Sequence, residues 1–402
     1  MRRVRGRGHY NHGVKVLFLA TYPEEGASSR LRITQFFPYL ERHGVECTFR
    51  PLFDTDFYRA FYRPGGTFGK ALRLVRLTLV RLADVLRARR YDVVFVQREA
   101  HIIGPPVLEW LLAHLVRRPL VFDFDDAVFL PSSSGVYGRL ATFLKRPAKT
   151  TSIIRWSAAV IVCTEYSRRF VVRDHPNPAV IPTVVDSTVY APAAQRPDDI
   201  PTIGWIGSFT AAPFVLALRE VFERLGQRHR YRLKLVGLGM PFTLESPNVE
   251  VVNVPWTLER EVADYQSLDI GIYPLIADPW TEGKMGFKVV AYMSVGVPSV
   301  SSPIGDHVNF VREGDNGFFA STPDEWVAKL GRLLDDPVLR ADVGRRGRRT
   351  VEEYFSLEHQ APRLLDVLRG AAGHRARNQA TSAAEMTTGD GIGTMNRPPA
   401  SR

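Results

Sequence analysis

The sequence contains very little cysteine. Only two of its 402 residues are cysteine, Cys47 and Cys163, and both stand in apolar, strand-like surroundings. A small scaffold held by disulfide bonds needs several cysteines, and a structural zinc site needs ligands at short spacings, so both classes are excluded. We expect Cys47 and Cys163 to be buried thiols and not a disulfide or a metal-ligand pair.

The sequence also lacks a long hydrophobic run. No window approaches the ~18 consecutive apolar residues that a membrane-spanning helix requires. The apolar run Val14–Ala20 is short and leads into Tyr-Pro-Glu-Glu, which is not a small-residue cleavage site, so no secretory signal is predicted. We expect a cytoplasmic protein, with a peripheral position at the inner face of a membrane as an alternative.

Acidic residues are too few to balance the basic ones. The chain has 53 lysines and arginines against 42 aspartates and glutamates, which gives a net charge of +11 and predicts an anionic partner. Nucleotide sugars, anionic lipid headgroups and nucleic acid all meet this condition. Because no recognised nucleic-acid-binding motif accompanies the charge, we do not expect nucleic acid to be the partner.

Short strand-like runs alternate with amphipathic segments, and this order predicts an α/β fold. Because 402 residues exceed the usual size of one hydrophobic core, two domains with parallel sheets are expected. We place them at 14–190 and 201–354, with a proline-rich linker at 191–200 and a terminal helix at 355–370. The ends, 1–13 and 371–402, lack apolar periodicity and are predicted to be disordered.

A loop with two lysines is the most informative segment. Residues 278–300, DPWTEGKMGFKVVAYMSVGVPSV, follow a buried-strand pattern and predict a loop, a helix and a turn into another strand. A helix that opens on Gly283, Lys284 and Gly286 directs free N–H groups and its positive dipole end beyond the strand ends, where Lys284 and Lys288 add charge. This arrangement suits a diphosphate. The alternative is an ordinary βα turn with solvated lysines.

Several motifs, in this order and spacing, resemble glycosyltransferase family 4, the group 1 glycosyltransferases. Tyr-Met-Ser-x-Gly-x-Pro at 292–298 is similar to part of the nucleotide-sugar motif of that family. The segments VIPTVVDSTVYAP, IGWIGS and REGDNGFFA, at 180–192, 203–208 and 312–320, are similar to further family motifs. The resemblance implies two facing Rossmann-like domains, the GT-B fold, with a C-terminal helix that crosses back onto the N-terminal domain.

The resemblance also implies an activity. It implies a glycosyltransferase that moves a sugar from a nucleoside diphosphate donor to a glycan, a lipid-linked molecule or a small molecule. Retention of anomeric configuration is expected, without a metal or another cofactor. The expected donor-binding residues are Gly207 and Ser208, which end the IGWIGS segment, and Lys284, Gly286 and Lys288 of the loop.

The sequence departs from the family pattern at charged positions. The two motif glutamates of the family fall at Gly283 and Ala291, with Glu282 one residue out of register, and the basic pair that usually follows IGWIGS is absent. Lys284 and Lys288 are the available replacements, so we predict a divergent branch with a Gly-Lys-x-Gly-x-Lys loop. Glu282 is a candidate catalytic residue. The departures leave two alternatives, a non-catalytic nucleotide-sugar-binding or scaffold protein and a nucleotide-sugar epimerase.

Three carboxylates, Asp123, Asp125 and Asp126, stand at the end of the strand-like run PLVFDF. Such oxygen ligands suit magnesium or manganese, but the resembling family does not generally use a metal, so no metal site is predicted. Asp125 aligns with a family position near the reacting sugar, and we predict a catalytic residue that binds a sugar hydroxyl or orients the acceptor. The structural alternative is that Asp126 caps a turn and Asp123 pairs with an arginine.

Two loops in the N-terminal half are candidates for the acceptor side. In EEGASSRLR, Gly26 permits close backbone approach, and Arg30 contacts either an anionic acceptor or a neighbouring carboxylate. The segment QREAH follows another strand, which places Arg98 and His101 at the edge of the cleft. His101 is a candidate proton shuttle, although a lone histidine in a loop is more often a surface residue.

Residues 70–90 predict an amphipathic helix with its basic and apolar side chains on opposite faces. The basic residues are Lys70, Arg73, Arg76, Arg81 and Arg87, and the apolar ones are Leu72, Val75, Leu79, Leu82 and Leu86. We expect the apolar face to pack on the N-terminal sheet. The basic face is either solvated or attracted to the headgroups of an anionic membrane.

Overall fold

The computed structural model describes residues 13–61, 65–131, 146–193 and 200–389. In this part of the chain twelve strands form two separate sheets. The strands are β1 Val14–Ala20, β2 Val45–Pro51, β3 Val93–Gln97, β4 Leu120–Phe124, β5 Ala159–Val162, β6 Ala179–Val180, β7 Thr202–Ile206, β8 Tyr231–Val236, β9 Val249–Val254, β10 Ile270–Tyr273, β11 Ser299–Ser301 and β12 Phe318–Phe319.

Both sheets are parallel throughout and have six strands each. The first has the order β2-β1-β3-β4-β5-β6 and the second β12-β11-β10-β7-β8-β9. All residues of β3 and β4 are buried, including the paired residues Val94 and Leu120, because helices cover both faces of each sheet. Read from its other edge, the second sheet has the order β9-β8-β7-β10-β11-β12, which is the doubly wound Rossmann order. The predicted α/β fold with two Rossmann-like sheets is therefore confirmed.

Fifteen α-helices connect the described strands, with short 3-10 and π turns between some of them. They are α1 Ala27–Arg32, α2 Phe37–Arg42, α3 Thr55–Phe61, α4 Thr67–Arg87, α5 Val107–Trp110, α6 Lys149–Trp156, α7 Glu165–Val171, α8 Ala212–Leu216, α9 Arg219–Gly226, α10 Glu261–Gln266, α11 Pro279–Glu282, α12 Phe287–Ser294, α13 Pro323–Asp335, α14 Pro337–Thr350 and α15 Leu357–Gly389.

The C-terminal helix α15 crosses back onto the N-terminal domain. Its buried side chains Ala361, Leu364, Leu365 and Leu368 join the hydrophobic core that covers one face of the first sheet. This confirms the predicted crossover helix. The helix ends at Gly389, beyond the predicted end at residue 370, because an alanine-rich segment has high helix propensity without an apolar face. Residues 390–402, and 194–199 of the predicted linker, lie outside the described part.

Helix α4 does not pack on the protein through the apolar face that was predicted to do so. Leu72 and Leu79 are each 64% exposed, whereas Arg81 is buried. The Arg81 guanidinium donates to the carbonyl oxygens of Ala20 at 2.7 Å and Arg50 at 2.8 Å. The prediction that the apolar face packs on the sheet is wrong, because main-chain acceptors at the ends of β1 and β2 satisfy a buried guanidinium.

The two cysteines, Cys47 and Cys163, differ in their burial. Both are free thiols, as predicted, and Cys163 is buried, but Cys47 is half-buried and not fully buried as expected. Among the helices of the described residues, none combines the length and apolar character needed to cross a bilayer. The last strand, β12, falls within the motif REGDNGFFA at 312–320; it has two residues, Phe318 and Phe319, and pairs with β11.

Candidate functional site

A cleft between the two domains contains a cavity of about 470 Å³. Tyr22, Arg98 and Lys149 line it from the N-terminal domain, and Trp280 and Lys284 line it from the C-terminal domain. Tyr22 and Arg98 follow the carboxyl ends of β1 and β3. In a parallel α/β sheet, ligands bind outside these strand ends, so the cavity occupies the position expected of a substrate site.

A second, smaller cavity of about 170 Å³ adjoins the first at Lys284, which lines both. Asp125 and Ser28 line it from the N-terminal domain, and Gly286 and Lys288 line it from the C-terminal domain. The structure therefore brings together Asp125 and three of the five residues expected to bind the donor. These residues are far apart in the sequence and meet because both loops follow strand ends.

Helix α12 opens directly on the smaller cavity. Its N-cap residue Gly286 has φ 83°, a left-handed conformation that favours glycine, and no side chain caps the first turn. Of the N–H groups of that turn, Val289 donates to the carbonyl oxygen of Gly286 at 2.9 Å, whereas the N–H groups of Phe287 and Lys288 precede the intrahelical ladder and carry the positive end of the helix dipole. The sequence predicted a helix that opens on Gly283, Lys284 and Gly286; in the structure α12 begins after Gly286, and Gly283 instead ends the short helix α11.

His307 supports this loop from behind, and sequence reasoning missed it. A Cβ on Gly286 would lie 2.7 Å from the Cβ of His307, so glycine is required by packing as well as by conformation. The buried imidazole contacts the carbonyl oxygen of Ser302 through Nε2 at 2.8 Å. Burial lowers the pKa of His307 to about 4, so the ring is neutral. No local motif around residue 307 could have indicated this role.

Lys284 and Lys288 are the two cations of the loop, and neither forms an ion pair within the part of the chain that the structure describes. Burial of the Lys288 ammonium and the neighbouring Lys284 charge lower the pKa of Lys288 to about 8, against a smaller opposing effect of Asp126. Its Nζ lies 5.5 Å from the ring centroid of Tyr273. Two adjacent, incompletely compensated cations favour an anionic ligand.

Asp125 is fixed by two partners in the N-terminal domain. Arg98 donates to it through Nε at 2.6 Å, and the Ser28 hydroxyl donates at 2.7 Å. Burial opposes ionisation of Asp125, but the charge and hydrogen bond of Arg98 outweigh burial and hold its pKa at about 2. Arg98 has φ 62°, which is uncommon for a residue other than glycine. Asp125 is therefore an ionised acceptor of hydrogen bonds.

The neighbouring carboxylates also engage arginines. Asp126 pairs with the same Arg98, and the buried Asp123 pairs with the buried Arg32. Burial raises the pKa of Asp123, against the effect of Arg32. The structural alternative for Asp123 is therefore confirmed. Asp126 pairs with Arg98 in addition to lying at a turn, so all three carboxylates have cationic partners.

The structure places Arg30 away from both cavities. Its guanidinium donates to both carboxylate oxygens of Glu261 at 3.0 Å, and Glu261 also accepts from Trp256 and Tyr190. Arg30 lies in α1 of the N-terminal domain and Glu261 in α10 of the C-terminal domain. Of the two alternatives for Arg30, a neighbouring carboxylate is the one observed.

Gly26, His101 and Glu282 also line neither cavity in the described structure. A Cβ on Gly26 would lie 2.8 Å from that of Tyr22, so its close approach is within its own loop. His101 Nε2 lies 2.9 Å from Thr78 Oγ1 of α4, and burial lowers its pKa. Glu282 is exposed beside Tyr166.

Gly207, at the end of β7, and the exposed Ser208 complete the set of predicted donor-binding residues. A Cβ on Gly207 would lie 2.3 Å from the ring of Trp205, and Ser208 contacts Thr210 through its hydroxyl at 2.7 Å. Thr210 lines the larger cavity. The loop after β7 therefore reaches the cleft, although Gly207 and Ser208 themselves do not line it.

Sequence reasoning missed two groups in the larger cavity. Lys149 pairs there with Glu99 at 2.5 Å and donates to the carbonyl oxygen of His101 at 3.0 Å. Tyr22 and Trp280 present aromatic side chains from opposite domains. Glu99 lies within the QREAH segment and could have been included, whereas Lys149 begins a helix without a distinctive motif.

Comparisons with known proteins show which proteins this chain is similar to. Residues 200–336 match the family model of group 1 glycosyl transferases. A D-inositol 3-phosphate glycosyltransferase of Kineococcus radiotolerans is 24% identical over 330 residues, which cover 72% of this chain and 73% of that protein.

Solved structures share the fold at low sequence identity. A glycosyltransferase from Rickettsia africae superposes with a TM-score of 0.63 at 14% identity, over 90% of this chain and 99% of that one. Anabaena HepE, solved in complex with UDP-glucose, gives a TM-score of 0.63 at 17% identity, over 88% of this chain and 99% of that one. With its group 1 glycosyltransferase domain at 200–336 and its two Rossmann-like sheets, the chain is a glycosyltransferase of the GT-B fold.

Proposed function

We propose that the donor is a nucleoside diphosphate sugar and that Lys284, Lys288 and the first turn of α12 hold its diphosphate. The observation that carries this proposal is the pairing of two cations, neither engaged in an ion pair among the described residues, with an uncapped helix N-terminus in one cavity. Backbone N–H groups and lysine ammonium groups are the donors that recognise phosphate oxygens.

Stabilisation of the leaving diphosphate is the main catalytic contribution in this proposal. As the bond between the anomeric carbon and the phosphate oxygen breaks, negative charge develops on the diphosphate. Fixed cations and N–H groups already aimed at that position stabilise the charge without reorganisation. Lys284 reaches both cavities, so a donor with its diphosphate in the smaller one would place its sugar towards the larger one.

The acceptor hydroxyl oxygen forms the new bond to the anomeric carbon, and its proton passes to an oxygen of the departing diphosphate. We assign the proton to the donor because Asp125, with a pKa of about 2, is a weak base. Asp125 instead accepts a hydrogen bond from a sugar hydroxyl and orients it. Transfer with retention of anomeric configuration is consistent with this route.

Metal independence forms part of the proposal. Asp123, Asp125 and Asp126 are engaged by Arg32 and Arg98, and the lysines supply the charge that a metal would provide. No other cofactor is assigned. The acceptor is proposed to be a glycan or a lipid-linked molecule, with the enzyme at the inner face of a membrane, since the net charge of +11 favours anionic surfaces.

Thermal-shift measurement with UDP-, GDP-, ADP- and dTDP-sugars tests the donor assignment. We expect one nucleotide class to raise the melting temperature, because a ligand that binds only the native state stabilises it. UDP-sugars are the first to try, since HepE was solved with UDP-glucose. The donor identified in this way should support sugar transfer or slow hydrolysis. If no nucleotide sugar shifts the melting temperature, the donor assignment fails.

A further inference from the structure

Helix α4 carries a stripe of large apolar side chains that are exposed in the described part of the chain. The stripe consists of Phe68, Leu72, Val75, Leu79, Leu82 and Leu86, and all six are exposed. Their spacing alternates between four and three residues, which places them on one face of the helix. At 21 residues, α4 is about 30 Å long, and its buried side already covers the sheet through Arg81 and Val85.

Uncovered apolar surface of this extent marks an interaction site in a soluble domain, and the charges beside the stripe identify the partner. Arg76 and Arg87 are exposed on the same helix, and Arg89 and Arg90 are exposed just beyond its end. Asp84, the one acidic residue of α4, is buried and lies near Arg50 and Arg87. The exposed surface of α4 is therefore apolar along its centre and cationic at its edge.

A second copy of this chain fits the stripe poorly. Packing two such helices against each other would bring the arginines of both copies together without an exposed carboxylate on either α4 to pair with them. An anionic lipid leaflet satisfies both properties, because acyl chains accept the leucines and headgroups pair with the arginines.

We propose that α4 docks on an anionic lipid leaflet and that the acceptor is anchored in that leaflet. Contacts join α4 to the cleft, because Thr78 of α4 contacts His101, whose carbonyl oxygen accepts from Lys149 in the larger cavity. A docked α4 therefore holds the larger cavity close to the headgroups. The acceptor half of this inference rests on the proposed function; the docking half does not.

Co-sedimentation with vesicles tests docking. Wild-type protein is expected to bind vesicles of phosphatidylcholine mixed with phosphatidylglycerol and not vesicles of phosphatidylcholine alone. Leu79→Asp should weaken binding by more than about tenfold, since it places a charge in the inserted face. The matched control is Val338→Asp on α14. Val338 is 70% exposed and lies outside the stripe, so this variant should bind vesicles as wild type does. Arg76→Glu should weaken binding, whereas Arg230→Glu, exposed beside β8, should have a much smaller effect.

Other results would overturn the inference. Equal binding of wild type and Leu79→Asp, or no binding to anionic vesicles, removes the leaflet as the partner. A dimer in sedimentation velocity that Leu79→Asp dissociates would assign the stripe to a second copy. Nucleotide binding by Leu79→Asp, measured without vesicles, should equal that of wild type. Loss of vesicle binding thus tests docking, and loss of nucleotide binding tests the donor site.

The anchored acceptor has its own test. With the identified donor, turnover on acceptors extracted with anionic lipid should fall in Leu79→Asp and recover when the acceptor is presented in detergent micelles. Equal turnover of wild type and Leu79→Asp on vesicles would overturn the anchored acceptor while leaving the donor site intact.

Discussion

Arg30 donates from Nη2 to both carboxylate oxygens of Glu261 at 3.0 Å, and this ion pair joins the two domains. The side chains are 15% and 8% exposed, so the pair is shielded from solvent. It lies beside the cleft but outside both cavities, which indicates that Arg30 sets the orientation of the domains and does not contact a substrate.

Replacing Arg30 with methionine should destabilise the protein by about 3 kcal/mol, because Glu261 would keep a buried charge with fewer partners. Arg59→Met provides the control, since Arg59 pairs with Glu25 at a far more exposed site and should cost at most about 1 kcal/mol. Chemical denaturation measures both. If Arg30→Met is as stable as wild type but binds the acceptor more weakly, Arg30 contacts the acceptor and does not set the orientation of the domains.

Truncation tests the role of α15. Removing residues 373–402 should leave the melting temperature and turnover nearly unchanged, because this segment has no apolar periodicity and the helix residues whose contacts with the N-terminal core are described end at Ala371 and Ala372. Removing the chain from Phe355 onwards should lower both, since Leu364, Leu365 and Leu368 then leave the N-terminal core exposed. Equal behaviour of the two truncated proteins would show that α15 does not hold the domains together.

Chelation tests metal independence. We expect turnover with the identified nucleotide sugar to survive EDTA, because Asp125 and Asp126 already pair with Arg98 and the diphosphate has Lys284 and Lys288 beside it. Loss of turnover on chelation, with recovery on addition of manganese, would instead assign a metal to the site.

Lys288 should give donor binding a pH dependence. Its pKa of about 8 in the folded protein lies below the ordinary value for lysine, so its charge is lost as the pH rises through about 8. The phosphates are already ionised there. Affinity for the nucleoside diphosphate should therefore fall between about pH 7.5 and 9.5, whereas protein stability should rise over the interval between the folded and unfolded pKa values.

Titration calorimetry across this pH range checks the effect, and Lys288→Met is the comparison. Lys288→Met should bind more weakly and lose most of the dependence on pH. An unchanged pH profile in Lys288→Met would show that another group titrates.

The strands were largely predictable from sequence, and the exposed face of α4 was not. Runs such as those of β3 and β4 are buried on both faces and carry a continuous apolar pattern. The pattern of α4 shows two faces without showing which one meets the protein. Which face packs on the protein depends on the carbonyl oxygens of Ala20 and Arg50, which accept hydrogen bonds from Arg81. Because these acceptors belong to other segments of the chain, the α4 sequence does not reveal them.

The site was predictable where it depends on a strand end followed by a glycine-containing loop. Lys284, Gly286 and Lys288 satisfy this condition, and they line one cavity with Asp125. His307 and Lys149 could not be identified, because their positions depend on packing behind Gly286 and on the pair with Glu99. Such contacts join residues far apart in the sequence and leave no local pattern.

The most direct measurement is the affinity of the nucleoside diphosphate, determined by titration calorimetry for wild type, Lys284→Ala, Lys288→Ala and Lys329→Ala. Lys329 lies on α13 of the same domain and pairs with Glu313, so it controls for loss of one positive charge. Each of the first two variants should lose about 1.5–3 kcal/mol of binding free energy, the usual contribution of a charge-assisted hydrogen bond, while the circular dichroism spectrum shows an intact fold. Lys329→Ala should bind as wild type does. Wild-type affinity in both Lys284→Ala and Lys288→Ala would contradict the diphosphate site.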